Sequence, residues 1–354
     1  MRTISIANQK GGCGKTTTAI NLSACLAHQG KRVLLIDMDP QGHVALGLNI
    51  STSDRAHTVF DILNLTDGDK LSLTGISEKV SENFHVVPSD ISLSTLDQHL
   101  SMVEGRESRL KQAIMRIHSL YDMIIIDCPP NLGLLTFNAL IASTEVLVPI
   151  EMSLFSLHGI SKLVDIIASI KNKTGHEIHV KALGTMVDMR TRIAREVLEN
   201  IREHFREAMF ETLIRSNVTL KEAAGFGKAI LDYSKTANGF KDYGMLAKEV
   251  LSDEKTRHQH LAEGNVTSKL QNQFTFYAPE ANSVKIGGNF NNWNPTDEFR
   301  MERDDSGTWT KHISLKPGTY EYRFIVDGEW IEDHANSNYV SNAYGDKNSV
   351  LKIG

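Results

Sequence analysis

The chain has 354 residues, 41% of them hydrophobic, and a net charge of -5 at pH 7. That length exceeds what one core usually serves, so two domains are expected, and the mild acidity excludes a protein that binds nucleic acid over its whole surface. Cys13, Cys25 and Cys128 have no paired spacing, which excludes a disulfide framework or cysteine zinc site; without an apolar run of spanning length or a leader after Met1, a cytoplasmic protein that uses no membrane is expected.

The chain opens with a short strand on Ile4, Ile6 and Ala7 and runs into Lys10-Gly11-Gly12-Cys13-Gly14-Lys15-Thr16-Thr17-Thr18. A strand that ends in glycines and then starts a helix turns several backbone N–H groups toward one point. The helix N-terminus adds partial positive charge there. Gly11, Gly12, Cys13 and Gly14, with Thr17, thus read as a phosphate cradle, glycine allowing the backbone to come close. Lys15 reaches the β- and γ-phosphates of a nucleotide, and the Thr16 hydroxyl ligates the Mg²⁺ between them.

The ordinary phosphate loop has glycine at position 9, but this chain has Gln9 followed by a second lysine, Lys10. That pattern resembles the deviant Walker A motif of the ParA/MinD family of ATPases. The resemblance implies ATP and Mg²⁺ as ligands, ATP hydrolysis, and a homodimer closed on ATP. It gives Lys10 a role in trans, crossing to the phosphates of the other subunit as an arginine finger does. It also implies, over residues 1–251, an α/β P-loop domain: a doubly wound, mostly parallel sheet with helices on both faces.

Residues 17–29 read as a helix ended by Gly30, and Val33-Leu34-Leu35-Ile36 as a parallel strand buried on both faces. That strand ends in Asp37-Met38-Asp39, so two carboxylates stand at the sheet edge where open α/β folds bind ligands. By the resemblance Asp39 orients the attacking water and Asp37 supports the Mg²⁺ shell. A strand is expected at 84–88 and helices at 93–102 and 109–120; His85 has no metal spacing around it and reads as structural. Met123-Ile124-Ile125-Ile126-Asp127 is another buried strand. Its Asp127 resembles the Walker B aspartate that holds Mg²⁺, and Pro129-Pro130-Asn131-Leu132-Gly133 resembles the switch that senses the γ-phosphate.

Strands are expected at 144–150 and 180–188, and helices at 157–171, 192–205 and 243–251. Thr185 to Arg190 resembles the family's adenine-side loop and implies nucleotide contacts from Met186 and Asp188. Arg215-Ser216-Asn217-Val218 resembles a segment that usually reads Pro-Arg-Asn-Val-Arg in chromosomal ParA proteins, with Thr219 where an arginine is usual. Lys221, Lys228, Lys235 and Lys241 form either a patch for DNA phosphates, read without sequence preference, or an ordinary solvated face.

Residues 252–272 are polar and without period and read as a linker, with His258 and His260 inside it. Residues 273–354 then alternate as short strands of an antiparallel β-sandwich, with Asp327-Gly328 as a hairpin turn. Gly288-Asn289-Phe290-Asn291-Asn292-Trp293 and Phe324-Ile325-Val326-Asp327-Gly328-Glu329-Trp330 resemble the glycogen-binding module of the AMP-activated kinase beta subunit. The resemblance implies that Trp293, Trp330, Arg323 and Asn348 bind an α-glucan, indole faces covering glucose C–H faces and the polar pair bonding hydroxyls. Trp309, in an alternating strand, is expected in the core.

Such sandwiches also recruit proteins, so two functions stand. One is a ParA-type ATPase that positions an α-glucan cargo; the other is a DNA-partitioning ATPase whose sandwich binds a partner protein. Both imply an activating protein that the residues do not name.

Overall fold

The computed structural model describes residues 1–52, 55–65, 70–152, 158–263, 271–291, 293–304, 307–315, 318–336, 338–342 and 346–353, the side chains of 158–161, 204, 254–263, 271–273, 312, 314 and 353 excepted. The chain forms two compact units, Met1–Lys255 and Thr256–Gly354.

In the first unit, β1 (Arg2–Ile6), β2 (Val33–Asp37), β3 (Glu78–Ser81), β4 (Phe84–Val87), β5 (Met123–Asp127), β6 (Glu145–Glu151) and β7 (His179–Thr185) form one sheet in the order β3-β4-β2-β5-β1-β6-β7. Only the β3–β4 edge pair is antiparallel. Alternate residues of one strand feed two separate cores: Leu34 and Ile36 enter one cluster, Val33 and Leu35 the other. A sheet buried on both faces needs helices on both faces, which is why its strands read as unbroken apolar runs. Helix Lys15–His28 and the last helix, Asn238–Glu263, share one face, where the Tyr243 and Thr18 hydroxyls lie 3.1 Å apart.

Register brings the chemistry together. Ile6 of β1 and Asp37 of β2 both lie opposite Asp127 of β5, so the loops after these strands start side by side at the carboxyl edge.

Four expected elements differ. The helices at 93–102 and 109–120 are shorter pieces, a 3-10 turn Ile91–Thr95, one helical turn Leu96–His99 and helix Arg109–Met115. Leu93, Leu96, Leu100, Leu110, Ile114 and Ile117 are buried all the same, so the apolar period reported the core rather than helix length. β7 stops at Thr185 because Met186, at φ 52°, turns the chain out of the strand. The last helix runs past Leu251 to Glu263, through residues expected as linker. That stretch has no Gly or Pro before Gly264 and is rich in Glu, Lys, Arg and Gln, all good helix formers. The Lys181 ammonium pairs with Asp253 and ties the extension back to the sheet.

The second unit contains β8 (Gln271–Tyr277), β9 (Val284–Gly288), β10 (Glu302–Arg303), β11 (Thr308–Ser314), β12 (Gly318–Val326), β13 (Glu329–Ile331), β14 (Tyr339–Ser341) and β15 (Lys347–Ile353). They form two antiparallel sheets, β10-β11-β8 and β13-β12-β15-β14, with β9 also on β12. Phe274, Val284, Ile286, Trp309 and Phe324 fill the core. Trp309 is 5% exposed and its indole N–H donates to the Ala278 carbonyl at 2.9 Å, as its alternating strand predicted. Asp327 and Gly328, at φ 49° and 99°, make the expected turn.

Candidate functional site

Two sites carry chemistry, one in each unit. In the first, Gly12 and Gly14 adopt φ 76° and 89°, a region open to glycine, and the loop they shape opens helix Lys15–His28. The space above Gly11 and Gly12 is clear to 4 Å, the room a phosphate needs. Lys15 is buried and its ammonium donates to the Lys10 carbonyl at 3.0 Å. Thr185 at the end of β7 donates to the Cys13 carbonyl at 2.9 Å. Met186, expected on the adenine side, follows at once, its terminal carbon 3.9 Å from where a Gly14 Cβ would stand, beside the phosphate loop. Asp188 lies apart from that contact: Arg190 bonds its carboxylate three times, at 2.7 to 3.1 Å, and holds its pKa down to about 2.

Lys10, expected to act in trans, makes an ion pair within its own chain: its ammonium is 2.5 Å from Glu151 at the end of β6. The Lys10 N–H donates to Asn8, whose side chain donates to the Pro149 carbonyl at 2.7 Å. Glu151 and Asn8 were not singled out from sequence. The position of Glu151 at the carboxyl end of a parallel strand was the available signal.

The three aspartates converge as expected. Asp37 is fully buried; its oxygens accept from the backbone N–H groups of Asp39 and Val44 at 3.0 and 3.2 Å. Burial nevertheless holds its pKa above the ordinary carboxylate range. Asp39 accepts from the Gln41 N–H at 3.0 Å, and the buried Ser89 hydroxyl donates to its carbonyl. Both carboxylate oxygens of Asp127 are buried without a hydrogen bond of normal geometry. Burial first, then the charge of Asp37, raises its pKa, while the Thr16 hydroxyl and the Lys15 charge favour its ionised form.

Buried carboxylates in this state want a cation, and Mg²⁺ typically takes one or two carboxylates with phosphate oxygens and water. The residues fit ATP with Mg²⁺.

Residues 1–180 match the family described as an AAA domain. The sporulation initiation inhibitor protein Soj of Bacillus subtilis is 42% identical over 251 residues, 71% of this chain and 98% of that one. The chain belongs to the ParA/Soj family. The chromosome partitioning protein ParA of Caulobacter vibrioides is 37% identical over 265 residues, 74% of this chain and 98% of its own. Among solved structures, cobyrinic acid a,c-diamide synthase from Mycobacterium smegmatis with bound ATP analog and magnesium superposes with a TM-score of 0.61 at 29% identity, covering 75% of this chain and 97% of that one. As a ParA/Soj-type protein this chain is a P-loop ATPase whose ligands are ATP and Mg²⁺.

Of the residues in the segment that resembles chromosomal ParA proteins, Arg215 is tied to buried Asp242 by its backbone N–H and guanidinium, and Asn217 caps helix Val218–Gly225. Lys221, Lys228, Lys235 and Lys241 are all exposed. Among the described residues no helix is long and apolar enough to cross a membrane.

The second site is a cavity of about 630 Å³ that brings together Trp293, Trp330, Arg323 and Asn348, the four residues expected there. The two indole rings lie 5.9 Å apart with planes inclined by 52°. Trp330 fits because position 287 is glycine: a Cβ there would stand 2.5 Å from the ring. Trp293 sits at φ 57°, a strained backbone for a large side chain, held by its N–H bond to the Gly288 carbonyl at 2.8 Å.

The polar residues are already engaged. Arg323 donates to Asp346 and to the Trp330 carbonyl, both at 2.8 Å. Asn348 donates to Glu321 at 2.9 Å and accepts from Asn342 at 3.1 Å, so its amide braces the wall rather than standing free. Glu321, Asn342 and Asp346 were not expected; Glu321 shares a strand face with Arg323 two positions on, the signal that would have found it. Residues 271–354 match the family described as the glycogen recognition site of AMP-activated protein kinase.

Proposed function

We propose that this chain is a cytoplasmic positioning ATPase: two copies join on ATP, separate after hydrolysis, and carry an α-glucan such as glycogen on the C-terminal unit. The observation that carries the reading is a ParA/Soj phosphate site and a two-tryptophan cavity in one chain. In it residues 1–251 are the ATPase and 273–354 the glucan module. The cradle from Gly11 to Thr17 and the Lys15 ammonium bind the phosphates. Thr16, Asp37 and Asp127 hold the Mg²⁺, which neutralises charge on the phosphate oxygens when bound. Asp39 orients the attacking water, Met186 and Asp188 line the adenine side, and Lys10 leaves Glu151 to reach the phosphates of the second copy. Turnover is slow, because such a cycle uses hydrolysis to reset association.

For the glucan, two ring planes inclined at 52° suit a curved chain, whose successive glucoses face different ways. Trp293 and Trp330 supply the stacking surfaces, and Arg323 and Asn348 hold the polar wall. The four exposed lysines at 221, 228, 235 and 241 are offered to DNA phosphates, so that the nucleoid is the track and an activating protein triggers release. That relatives are named for chromosome partitioning supports the second reading, in which the cargo is DNA and the sandwich recruits a protein.

Sedimentation of the full chain with and without ATP, DNA and glycogen separates these. Lys15→Ala is expected to lose ATP binding. Lys10→Ala is expected to keep ATP but remain monomeric; a dimer identical to wild type would end the trans role. Trp293→Ala with Trp330→Ala is expected to abolish pelleting with glycogen, and a wild-type chain that ignores glycogen and cyclodextrin selects the partitioning reading.

A further inference from the structure

The glucan cavity has a charge that the resemblance does not foretell. Among the described residues its wall holds one cation, Arg323, against two carboxylates, Glu321 and Asp346. The guanidinium is spent: two of its nitrogens donate to Asp346 and the Trp330 carbonyl, and Nε is buried without a partner. Its side chain is 12% exposed, whereas that of Asp346 is 60% exposed. Lys347, the next residue along, turns its ammonium over the Tyr339 ring at 4.1 Å and adds nothing to the cavity wall. Asn342 and Asn348, the remaining polar wall, are neutral.

We propose that Glu321 and Asp346 make this cavity selective for uncharged glucan and against glucan bearing phosphate esters. The inference rests on the glucan reading above and names the ligand class of that site. Asp346 binds Arg323 through one carboxylate oxygen and Glu321 binds Asn348 through one, and the second oxygen of a carboxylate accepts from sugar hydroxyls. The same groups repel a phosphate monoester, which carries more than one negative charge at neutral pH.

Calorimetry on the full chain at low salt, with maltoheptaose and with maltoheptaose carrying phosphate monoesters, tests it. The ratio of the two Kd values within one protein is the readout, so a loss of active protein cancels. Wild type is expected to bind the uncharged sugar about tenfold more tightly. Raising the salt should shrink that ratio. Glu321→Gln leaves the Arg323–Asp346 pair in place and should lower the ratio, and Glu321→Gln with Asp346→Asn should bring it to one or below. Equal affinities in wild type, or a ratio that neither variant moves, overturns the selectivity while leaving glucan binding intact. A wild type that binds neither sugar overturns both readings.

Discussion

Gly287 sets the shape of the two-tryptophan cavity by what it lacks. A Cβ at that position would stand 2.5 and 2.7 Å from two carbons of the Trp330 ring and 3.4 Å from Ile325. Gly287→Ala therefore has to move the indole, because β9 is paired to β12 and cannot retreat. The expected result is a folded domain, destabilised by about 1–3 kcal/mol, whose affinity for cyclodextrin falls by about tenfold or more. Titration calorimetry with a denaturant curve measures both, and unchanged affinity would show that the ring does not touch the sugar. Lys10 shows the opposite limit of residue-level reasoning. Its identity was plain in the motif, but its partner Glu151 lies 141 positions away and was visible only once β6 was seen beside β1.

At the scale of elements, the sheet is fastened at its amino edge as well as at its catalytic edge. Arg32, before β2, donates its backbone N–H and guanidinium to Asp122, before β5, at 2.7 to 3.2 Å. The Arg32 hydrogen bonds hold the Asp122 carboxyl below its ordinary pKa. A carboxylate whose folded pKa is depressed contributes stability above its unfolded pKa, about 3.9, and that contribution is lost as pH falls through the folded value. Asp122→Asn is thus expected to lower Tm at pH 7 and to converge with wild type as pH falls below the ordinary carboxylate range; a gap that stays constant with pH would mean that charge is not the cause. A second fastening sets the exit of the chain. Buried Asp242, in the last helix, binds the Arg215 backbone N–H at 3.0 Å and its guanidinium. Asp242→Ala should cost about 2–3 kcal/mol in urea unfolding, while Arg215→Ala should cost less because Asp242 keeps the backbone bond. These pairs join residues 90 and 27 positions apart, so no local pattern announced them.

The whole molecule is two units, each with its own core: Met1–Lys255 has a cluster on each face of its sheet, and Thr256–Gly354 has one built on Phe274, Trp309 and Phe324. Separate cores melt separately unless they share a large interface. Differential scanning calorimetry is expected to resolve two transitions. ATP with Mg²⁺ should raise one and cyclodextrin the other, each by about 2.7 kcal/mol at a hundredfold excess over Kd. A single transition raised by both ligands would refute independence.

Much of this was legible in residues alone. Apolar runs of strand length, a glycine-rich loop between strand and helix, and aspartates at strand ends read locally as a buried parallel sheet with a phosphate cradle at its edge, and the family resemblance that their order carries implied ATP, its hydrolysis and the remaining site roles. The alternation from residue 273 onward likewise announced the sandwich, and the resemblance singled out Trp293 and Trp330 within it. Tertiary structure alone decided which charges meet: Lys10 with Glu151, Arg215 with Asp242, and Arg323 with Asp346. It also carried the last helix past Leu251, where the Lys181–Asp253 pair ties the extension to the sheet and helix-forming residues continue the turn. The reason is reach. Backbone preference acts over a few residues, whereas a charge answers to whatever the folded chain places within a few ångströms of it.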